Sequence, residues 1–367
     1  MIDQRNINSP IHQRLAARDS VALSKGYHSP QLNVRVRLNT NESPLPPPQG
    51  WFEGFLAAQD QISWHRYPDR EAKELRAAIA KHEGVEPTQV FAANGSNEVL
   101  QCLMLAFGGP GRSALVFEPT YALHSHIARL TATEVIAVQR VQDFGIDLGY
   151  ASTMLVEHRP AVTFLCSPNN PTGTVDAPEL IQALLDIVAD LPGLLLMDEA
   201  YGQFAPYSAI SLIEEARPLA VARTYSKTWS MAAARLGYLI APAWVICELE
   251  KVALPYHLDS VKQIAGRLAL QYQVEMAERV GELVAERERI AAELAKLAVQ
   301  QWPSGANFIL FRPNNGDGQG VWNGLLERSV LVRNCASWPY LAGCLRVTVG
   351  TPVENDVFLS ALSEVLQ

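Results

Sequence analysis

Residues 161–201 read AVTFLCSPNNPTGTVDAPELIQALLDIVADLPGLLLMDEAY, and this stretch decides the fold. Apolar runs at 161–166 and 194–197 flank a helical pattern at 178–189. Two buried strands joined by a helix are typical of parallel pairing. The alternation extends from about residue 51 to residue 256, and further apolar runs lie at 113–117, 220–223 and 237–240. The pattern predicts an α/β fold in which helices sandwich a mostly parallel sheet.

The patterning also predicts three parts along the chain. Residues 1–45 are polar and irregular apart from a strand-like stretch at 34–38, which is typical of an arm that joins another domain. Residues 46–256 form the predicted large domain, and residues 257–367 form a predicted smaller α+β domain. Within the smaller domain, helical sequence spans 261–299, and strand-like stretches lie at 307–311, 330–333 and 345–349.

Composition and charge exclude several classes of partner. The 367-residue chain has 30 basic and 38 acidic residues, so it lacks the basic surplus that binds a nucleic-acid backbone. Charges interrupt the N-terminal stretch, and no apolar run approaches the roughly 20 residues that span a bilayer. The 5 cysteines are scattered without a C-x-x-C pair, so no metal site is predicted. We expect a cytoplasmic protein without membrane or nucleic-acid partners.

A lysine in an apolar setting is the first candidate catalytic group. Residues 224–237 read TYSKTWSMAAARLG, and their only charges are Lys227 and Arg235. Desolvation disfavours an ammonium, so a lysine among small and apolar residues is suited to act as a Schiff-base nucleophile. The hydroxyls of Thr224 and Ser226 and the guanidinium of Arg235 suit a phosphate held close to that amine. The predicted ligand is pyridoxal phosphate.

Two further candidates follow strands of the predicted sheet, where open α/β sheets bind ligands. Gly95, Ser96 and Asn97 come after the apolar run 89–93 and begin a helix, whose free N–H groups suit a phosphate. A plain helix cap accounts for the same residue types. Tyr121 follows the next predicted strand and is a candidate for stacking on a pyridine ring, with core packing as the alternative.

Polar residues also follow both strands of the opening stretch. Asn170 lies in a turn fixed by proline and glycine, where it is a candidate to bind the ring oxygen of the cofactor. Asp198 comes directly after four apolar residues, and a buried carboxylate needs a partner such as a protonated pyridine nitrogen. Tyr201 is placed to reach the same ring oxygen as Asn170. In the second domain, the guanidinium of Arg346 suits a carboxylate or a phosphate.

Three motifs taken together resemble the fold-type-I pyridoxal-phosphate aminotransferases over nearly the whole chain. They are Asn170-Pro171-Thr172-Gly173, Asp198-x-x-Tyr201, and Ser226-Lys227 with Arg235. The resemblance implies that Lys227 binds the cofactor covalently, that Asp198 pairs with the pyridine nitrogen and that Tyr201 contacts the ring oxygen with Asn170. It implies stacking by Tyr121, and phosphate contacts by Gly95, Ser96, Asn97, Thr224, Ser226 and Arg235.

Within that group the chain is most similar to the histidinol-phosphate aminotransferase family. The similarity rests on LNTNESP at 38–44, RYPD at 66–69, CSPNNPTG at 166–173, VR at 332–333 and CLRVTVG at 344–350. It implies a homodimer in which Tyr67 reaches the partner's cofactor phosphate, and an N-terminal arm whose Tyr27 closes over the substrate. Asn41, Arg333 and Arg346 are the implied substrate-binding residues. The two arginines would bind the phosphate of histidinol phosphate, then the carboxylates of glutamate and 2-oxoglutarate.

One segment departs from the expected pattern, and two alternatives stay open. Residues 334–340 read NCASWPY, where a shorter and more polar link is expected between Arg333 and Arg346. The added aromatic bulk keeps aromatic amino acids as alternative donors. The motifs are also compatible with a decarboxylase of the threonine-phosphate type, because the bond that breaks depends on which substituent the pocket holds perpendicular to the ring.

Overall fold

The computed structural model of the protein describes residues 15–18, 21 and 31–367. Tyr27, the predicted arm tyrosine, lies outside these residues. The strands are β1 (Val36–Leu38), β2 (Val90–Ala93), β3 (Ser113–Glu118), β4 (Glu134–Gln139), β5 (Val162–Cys166), β6 (Leu194–Asp198), β7 (Leu219–Thr224), β8 (Gly237–Ile240), β9 (Val299–Gln301), β10 (Phe308–Pro313), β11 (Val330–Asn334) and β12 (Leu345–Thr348).

The α-helices alternate with these strands over most of the chain. They are α1 (Gln49–Gln59), α2 (Lys73–Glu83), α3 (Ser96–Phe107), α4 (Leu123–Leu130), α5 (Leu148–His158), α6 (Pro178–Ala189), α7 (Ala243–Val252), α8 (Ser260–Ala269), α9 (Gln273–Leu294), α10 (Gly318–Glu327) and α11 (Pro352–Val365). In the described part of the chain, none of them combines the length and the apolar character needed to cross a bilayer.

The larger sheet has the order β2-β8-β7-β6-β5-β3-β4. The pairs between β7 and β4 are all parallel, whereas β8 runs antiparallel to both of its neighbours. This confirms the predicted α/β fold with a mostly parallel sheet. The antiparallel β8 was not predicted: residues 225–236 between β7 and β8 contain only a short 3₁₀ turn, and a parallel return usually needs a helical crossover.

Helices cover both faces of this sheet because consecutive strand residues point to opposite sides. Leu195 of β6 packs in a core with Leu155 of α5 and Leu184 of α6. Its neighbour Leu196 packs in the opposite core with Leu103 of α3. Because β2, β3, β5, β6 and β7 all point the same way, their carboxyl ends share one edge of the sheet. Ligands bind at this edge in open α/β folds.

The smaller sheet has the order β1-β11-β12-β10-β9, and only its β1–β11 pair is parallel. Side chains of α9, α10 and α11 pack on it in one apolar cluster with the strands. The predicted helical stretch 261–299 is two helices, α8 and α9, separated by a 3₁₀ turn at Leu270–Tyr272. β1 thus joins the N-terminal segment to a sheet formed otherwise by the C-terminal part of the chain. The domain boundaries at 45/46 and 256/257 stay predictions.

Candidate active site

A cavity of about 380 Å³ lies where the carboxyl edge of the large sheet meets the smaller sheet. Twelve of the predicted site residues line it. They are Asn41, Ser96, Asn97, Tyr121, Asn170, Asp198, Tyr201, Thr224, Ser226, Lys227, Arg235 and Arg346. Residues separated by up to 307 positions in sequence are thus brought to one place, because β-strand ends and the two sheets converge there.

Lys227 presents its amine to this cavity from the loop after β7. Its Nζ donates to the carbonyl oxygen of Thr40 at 2.9 Å and lies 5.8 Å from the centre of the Tyr201 ring. Desolvation lowers the pKa of Lys227 to about 7, and the positive charge of Arg346 adds to this, while Glu42 opposes it. A large fraction of this amine is therefore unprotonated at neutral pH, which a nucleophile or a general base requires.

Asp198 ends β6 with a carboxylate that is only 2% exposed. Its Oδ2 accepts a hydrogen bond from Nε2 of His124 at 2.8 Å, and its Oδ1 accepts from the backbone N–H of Ala200 at 3.1 Å. The ring of His124 stacks on Phe164 with centroids 4.8 Å apart. These contacts fix the orientation of the carboxylate. His124 was missed from the sequence, although its place three residues after Tyr121, at the start of a helix, was a usable signal.

Tyr201 is held by a buried chain of hydrogen bonds that reaches the smaller sheet. Asn41 Nδ2 donates to the Tyr201 hydroxyl at 2.8 Å, and Thr348 Oγ1 donates to Asn41 Oδ1 at 3.1 Å. Burial raises the pKa of Tyr201 above its ordinary value, a larger effect than the lowering by Arg346. The hydroxyl therefore keeps its proton at neutral pH. Since its oxygen already accepts from Asn41, its O–H is the group left to donate to a ligand.

The start of α3 forms an anion cradle with the loop after β7. Helix α3 begins at Ser96 without a side-chain cap, so its first N–H groups are directed at the cavity end of the helix. Arg235 Nη1 donates to Ser226 Oγ at 3.3 Å. Gly95 has φ +84°, and a Cβ built on it would lie 2.9 Å from Nη2 of Arg235. A side chain at Gly95 would therefore displace the guanidinium.

Arg346 brings a buried positive charge from β12 to the other end of the cavity. The residue is 4% exposed; its Nη1 donates to Asn170 Oδ1 and its Nη2 donates to the carbonyl oxygen of Asn39 at 3.0 Å. Within residues 31–367 no carboxylate pairs with it, and its Nε is buried without a hydrogen-bond partner. A buried charge needs compensation, so this end of the cavity is suited to an anionic ligand.

Among the predicted site residues that the structure describes, three do not line the cavity. Gly95 lies just behind it, against Arg235. Arg333 lies on β11 directly opposite Arg346, and its guanidinium is 5.8 Å from the centre of the Trp338 ring. Tyr67 is 79% exposed and stacks on Tyr256 at 4.5 Å. Lining residues without a predicted role are Asn39, Thr40, Glu42, Cys166, Ala200, Ala232 and Ala233.

Comparison with known proteins decides the family. The model of the aminotransferase class I and II family matches residues 34–362. The chain belongs to the class I and II aminotransferases. Curated relatives include the histidinol-phosphate aminotransferase of Frankia casuarinae, 45% identical over 96% of this chain and 90% of the relative. That of Mycobacterium marinum is 42% identical over 97% of this chain and 94% of the relative.

Solved aminotransferase structures have the same fold. The histidinol-phosphate aminotransferase of Sinorhizobium meliloti, in complex with pyridoxal 5'-phosphate, superposes with a TM-score of 0.81 at 22% identity, covering 91% of each chain. The corresponding protein of Clostridium acetobutylicum has a TM-score of 0.84 at 21% identity, covering 90% of this chain and 98% of its own. The architecture is that of a fold-type-I pyridoxal-phosphate aminotransferase.

Pyridoxal phosphate is the cofactor of this aminotransferase family, and the cavity fits it. The anion cradle of α3, Ser226 and Arg235 suits the phosphate. The lowered pKa of Lys227 suits an amine that captures an aldehyde, and the fixed carboxylate of Asp198 suits a protonated ring nitrogen. The cavity therefore offers a complementary group to each polar part of the cofactor.

Substitution of Gly95 tests the cradle in this aminotransferase. Gly95→Ala should weaken pyridoxal phosphate binding by about 10- to 100-fold, because the added Cβ displaces Arg235 and removes a charge-assisted hydrogen bond. The matched control is Gly84→Ala, since Gly84 has φ +71° with no atom within 4 Å of its built Cβ. Both variants carry the same kind of backbone strain. Equal dissociation constants for the two, measured by titration of cofactor-free protein, would contradict the assignment.

Proposed function

We propose that this aminotransferase transfers the amino group of L-histidinol phosphate to 2-oxoglutarate, a reaction of histidine biosynthesis. The observation that carries the proposal is the run of full-length relatives of that name, among them one from Thermobifida fusca that is 44% identical over 95% of this chain. A match over this share of the chain spans the segments that line the cavity. The site geometry supports the same substrates independently.

The arginine end of the cavity suits both substrates. Arg346 is buried without a carboxylate partner in the described chain, and Arg333 lies beside it on the neighbouring strand. Two guanidinium groups would bind the phosphate of the donor through charge-assisted hydrogen bonds. The same groups would bind the carboxylates of glutamate and 2-oxoglutarate in the second half-reaction. Asn41, whose side chain is already used by Tyr201 and Thr348, would shape the substrate end rather than bind strongly.

When bound, pyridoxal phosphate supplies an aldehyde for the donor amine and an electron sink for the charge that develops at Cα. Asp198 would keep a proton on the ring nitrogen, with His124 holding the carboxylate in place. Tyr201 would donate its O–H to the ring oxygen. Because Asn170 Oδ1 already accepts from Arg346, its Nδ2 would be the second donor to that oxygen. Tyr121 would stack on the ring face.

Lys227 would move the proton that the reaction transfers. Its amine would take up the proton from Cα of the donor at one position and release it at a second, to complete the transfer of the amino group. A pKa of about 7 lets the same group accept and release this proton at neutral pH. The carbonyl oxygen of Thr40, 2.9 Å away, would hold the amine between the two positions.

The expected assembly is a homodimer with shared sites. Tyr67 is exposed and stacked on Tyr256, so its hydroxyl is free of the cavity of its own chain. The family resemblance assigns it to the partner's cofactor phosphate. Tyr27 keeps its proposed role in closing over the substrate. Aromatic amino acids and a phosphorylated amino acid that loses carbon dioxide are the alternative substrates to test.

Visible absorption of the cofactor-loaded protein distinguishes these reactions. The protein is titrated with L-histidinol phosphate, L-phenylalanine and O-phospho-L-threonine, each with and without 2-oxoglutarate. We expect kcat/KM for L-histidinol phosphate to exceed that for L-phenylalanine by at least about 100-fold, since two charged hydrogen bonds distinguish the donors. Glutamate should form in step with donor consumption. A preference for phenylalanine, or release of carbon dioxide from O-phosphothreonine, would overturn the proposal.

A further inference from the structure

We propose that Ser230 is a positioning residue, whose hydroxyl bond to Ser43 holds the cavity wall formed by residues 39–42 against the loop that carries Lys227. Ser230 Oγ donates to Ser43 Oγ at 2.9 Å, and Ser43 Oγ donates in turn to the carbonyl oxygen of Leu45 at 3.3 Å. This inference rests on the proposed function in assigning the reacting amine to Lys227, but it does not depend on the identity of the amino donor.

The backbone of Ser230 indicates that its hydroxyl has a role. Ser230 has φ +56°, in the left-handed region, where a Cβ is strained and glycine is not. It lies in the loop between β7 and β8, and its N–H donates to the carbonyl oxygen of Lys227 at 3.5 Å. Glycine would form the same turn without the strain. Strained residues cluster at functional sites, so the hydroxyl that glycine lacks is the feature to explain.

Two hydrogen bonds of equal sequence separation join the wall to this loop. The Nζ of Lys227 donates to the carbonyl oxygen of Thr40 across 187 positions, and the bond from Ser230 to Ser43 also spans 187 positions. Residues 40–43 therefore lie beside residues 227–230. The first segment follows β1 of the smaller sheet, and the second follows β7 of the large sheet. The serine pair thus joins the two sheets at the edge of the cavity.

The serine bond uses no group that is assigned to the ligand. Two other contacts of the wall do use such groups, because one involves the amine of Lys227 and another involves the hydroxyl of Tyr201. A bound ligand competes for both of these groups. Ser43 and Ser230 do not line the cavity, so their bond holds the wall in place while the ligand is bound.

The wall helps to keep water away from the amine of Lys227. Burial is the main cause that lowers the pKa of Lys227 to about 7, and the carbonyl oxygen of Thr40 lies 2.9 Å from its Nζ. A wall released from the loop would admit water, which favours the charged amine and raises this pKa. A released wall would also leave the donor less firmly placed, so KM should rise.

Ser329 offers a matched control. It also has a left-handed backbone, with φ +60°, and its Oγ accepts from the N–H of Arg35 at 2.7 Å. It therefore joins the N-terminal segment to the residue before β11 by a hydroxyl bond of the same kind. Ser230 and Ser329 are both half-buried. Replacing Ser329 thus removes a comparable bond and a comparable strain, but outside the contact between the wall and the loop of Lys227.

The test compares Ser230→Ala, Ser230→Gly and Ser43→Ala, which all remove the same hydroxyl bond, whereas only Ser230→Gly relieves the strained backbone. The pKa of Lys227 is measured in cofactor-free protein from the pH dependence of its reductive methylation, located by mass spectrometry. All three variants should raise this pKa above about 7. They should also raise KM for L-histidinol phosphate by about three- to tenfold, with a smaller change in kcat.

The double variant Ser43→Ala/Ser230→Ala should lose no more than either single variant, because both substitutions remove one bond. Ser329→Ala and Ser329→Gly should leave KM and the pKa of Lys227 as in the wild type. Ser230→Gly should be at least as stable to heat as Ser230→Ala, so equal functional losses in the two would follow the hydroxyl and not the stability.

Three outcomes would overturn the inference. An unchanged KM and an unchanged Lys227 pKa in Ser230→Gly would mean that the bond only stabilises the fold. Additive losses in the double variant would mean that the two serines act separately. Equal losses in the Ser329 variants would mean that any loosening of the N-terminal segment has this effect. A wild-type protein that does not react with L-histidinol phosphate would instead refute the proposed donor, and the Lys227 pKa would still decide the role of Ser230.

Discussion

Replacing Lys227 with alanine is expected to lower transamination turnover by about 10⁴-fold or more, near the upper end of what a positioned base contributes. The reason is that this single amine both binds the cofactor and moves the proton. Its lowered pKa of about 7 arises from burial beside Arg346, and no other amine lines the cavity in the described chain. Single-turnover and steady-state rates with L-histidinol phosphate measure the effect.

In Lys227→Ala we expect the rate of the chemical step to fall, while folding and cofactor binding are retained. The anion cradle, Asp198 and Tyr121 are untouched, so pyridoxal phosphate should still bind and shift the visible absorption of the protein. Lys251→Ala is the matched control, because Lys251 is exposed on α7 and pairs with Glu248, away from the cavity. Turnover within tenfold of the wild type in Lys227→Ala would rule out the assigned role.

Replacing Asp198 with asparagine is expected to lower kcat by about 10²- to 10³-fold, the range seen when one preorganised polar group is lost from a transition state. Asparagine has nearly the same shape; its amide oxygen accepts from the N–H of Ala200, and its NH2 group donates to Nε2 of His124 in the other ring tautomer. It does not carry the negative charge that keeps a proton on the ring nitrogen. The effect should therefore appear in kcat, with a much smaller change in the melting temperature.

A surface aspartate provides the comparison for Asp198→Asn. Asp186 is exposed on α6 and pairs with Arg217, so Asp186→Asn should leave kcat within about twofold, as is usual for exposed ion pairs. The absorption spectrum of the bound cofactor should also change in Asp198→Asn and not in the control, because only Asp198 faces the ring. Unchanged kcat and an unchanged spectrum would show that the carboxylate serves as a structural cap of the strand end.

Much of the fold could be predicted because its strongest signals are local. The helical pattern at 178–189 is α6, and the apolar run at 194–197 is β6, which extends to Asp198. A strand buried on both faces is a continuous apolar run, so β5, β6 and β7 stand out in the sequence. β4 and β9 were missed, since each lies at the edge of its sheet and alternates with exposed positions.

The parts of the site that could not be predicted depend on contacts between distant segments. His124 reaches Asp198 across 74 positions, and Thr40 reaches Lys227 across 187. No periodicity links such residues, because only the packed sheets bring them together. The opposite placement of Arg333 and Arg346 likewise follows from strand register, which the sequence between them does not specify. Arg346 was identified because the sequence around it shows both a strand-like pattern and a single charged residue within that pattern.

The order in which the chain is synthesised determines when the cavity around Lys227 is completed. β1 pairs only with β11, and residues 39–42, which follow β1, bridge Lys227 to Arg346 and Thr348 near the far end of the chain. A chain still on the ribosome has made Lys227 and the large sheet long before β11 and β12 exist. Residues 39–42 therefore lack their partners Arg346 and Thr348 until synthesis is almost complete. The amine of Lys227 acquires its enclosure last, so the burial and the Arg346 charge that lower its pKa are both in place only when synthesis is almost complete.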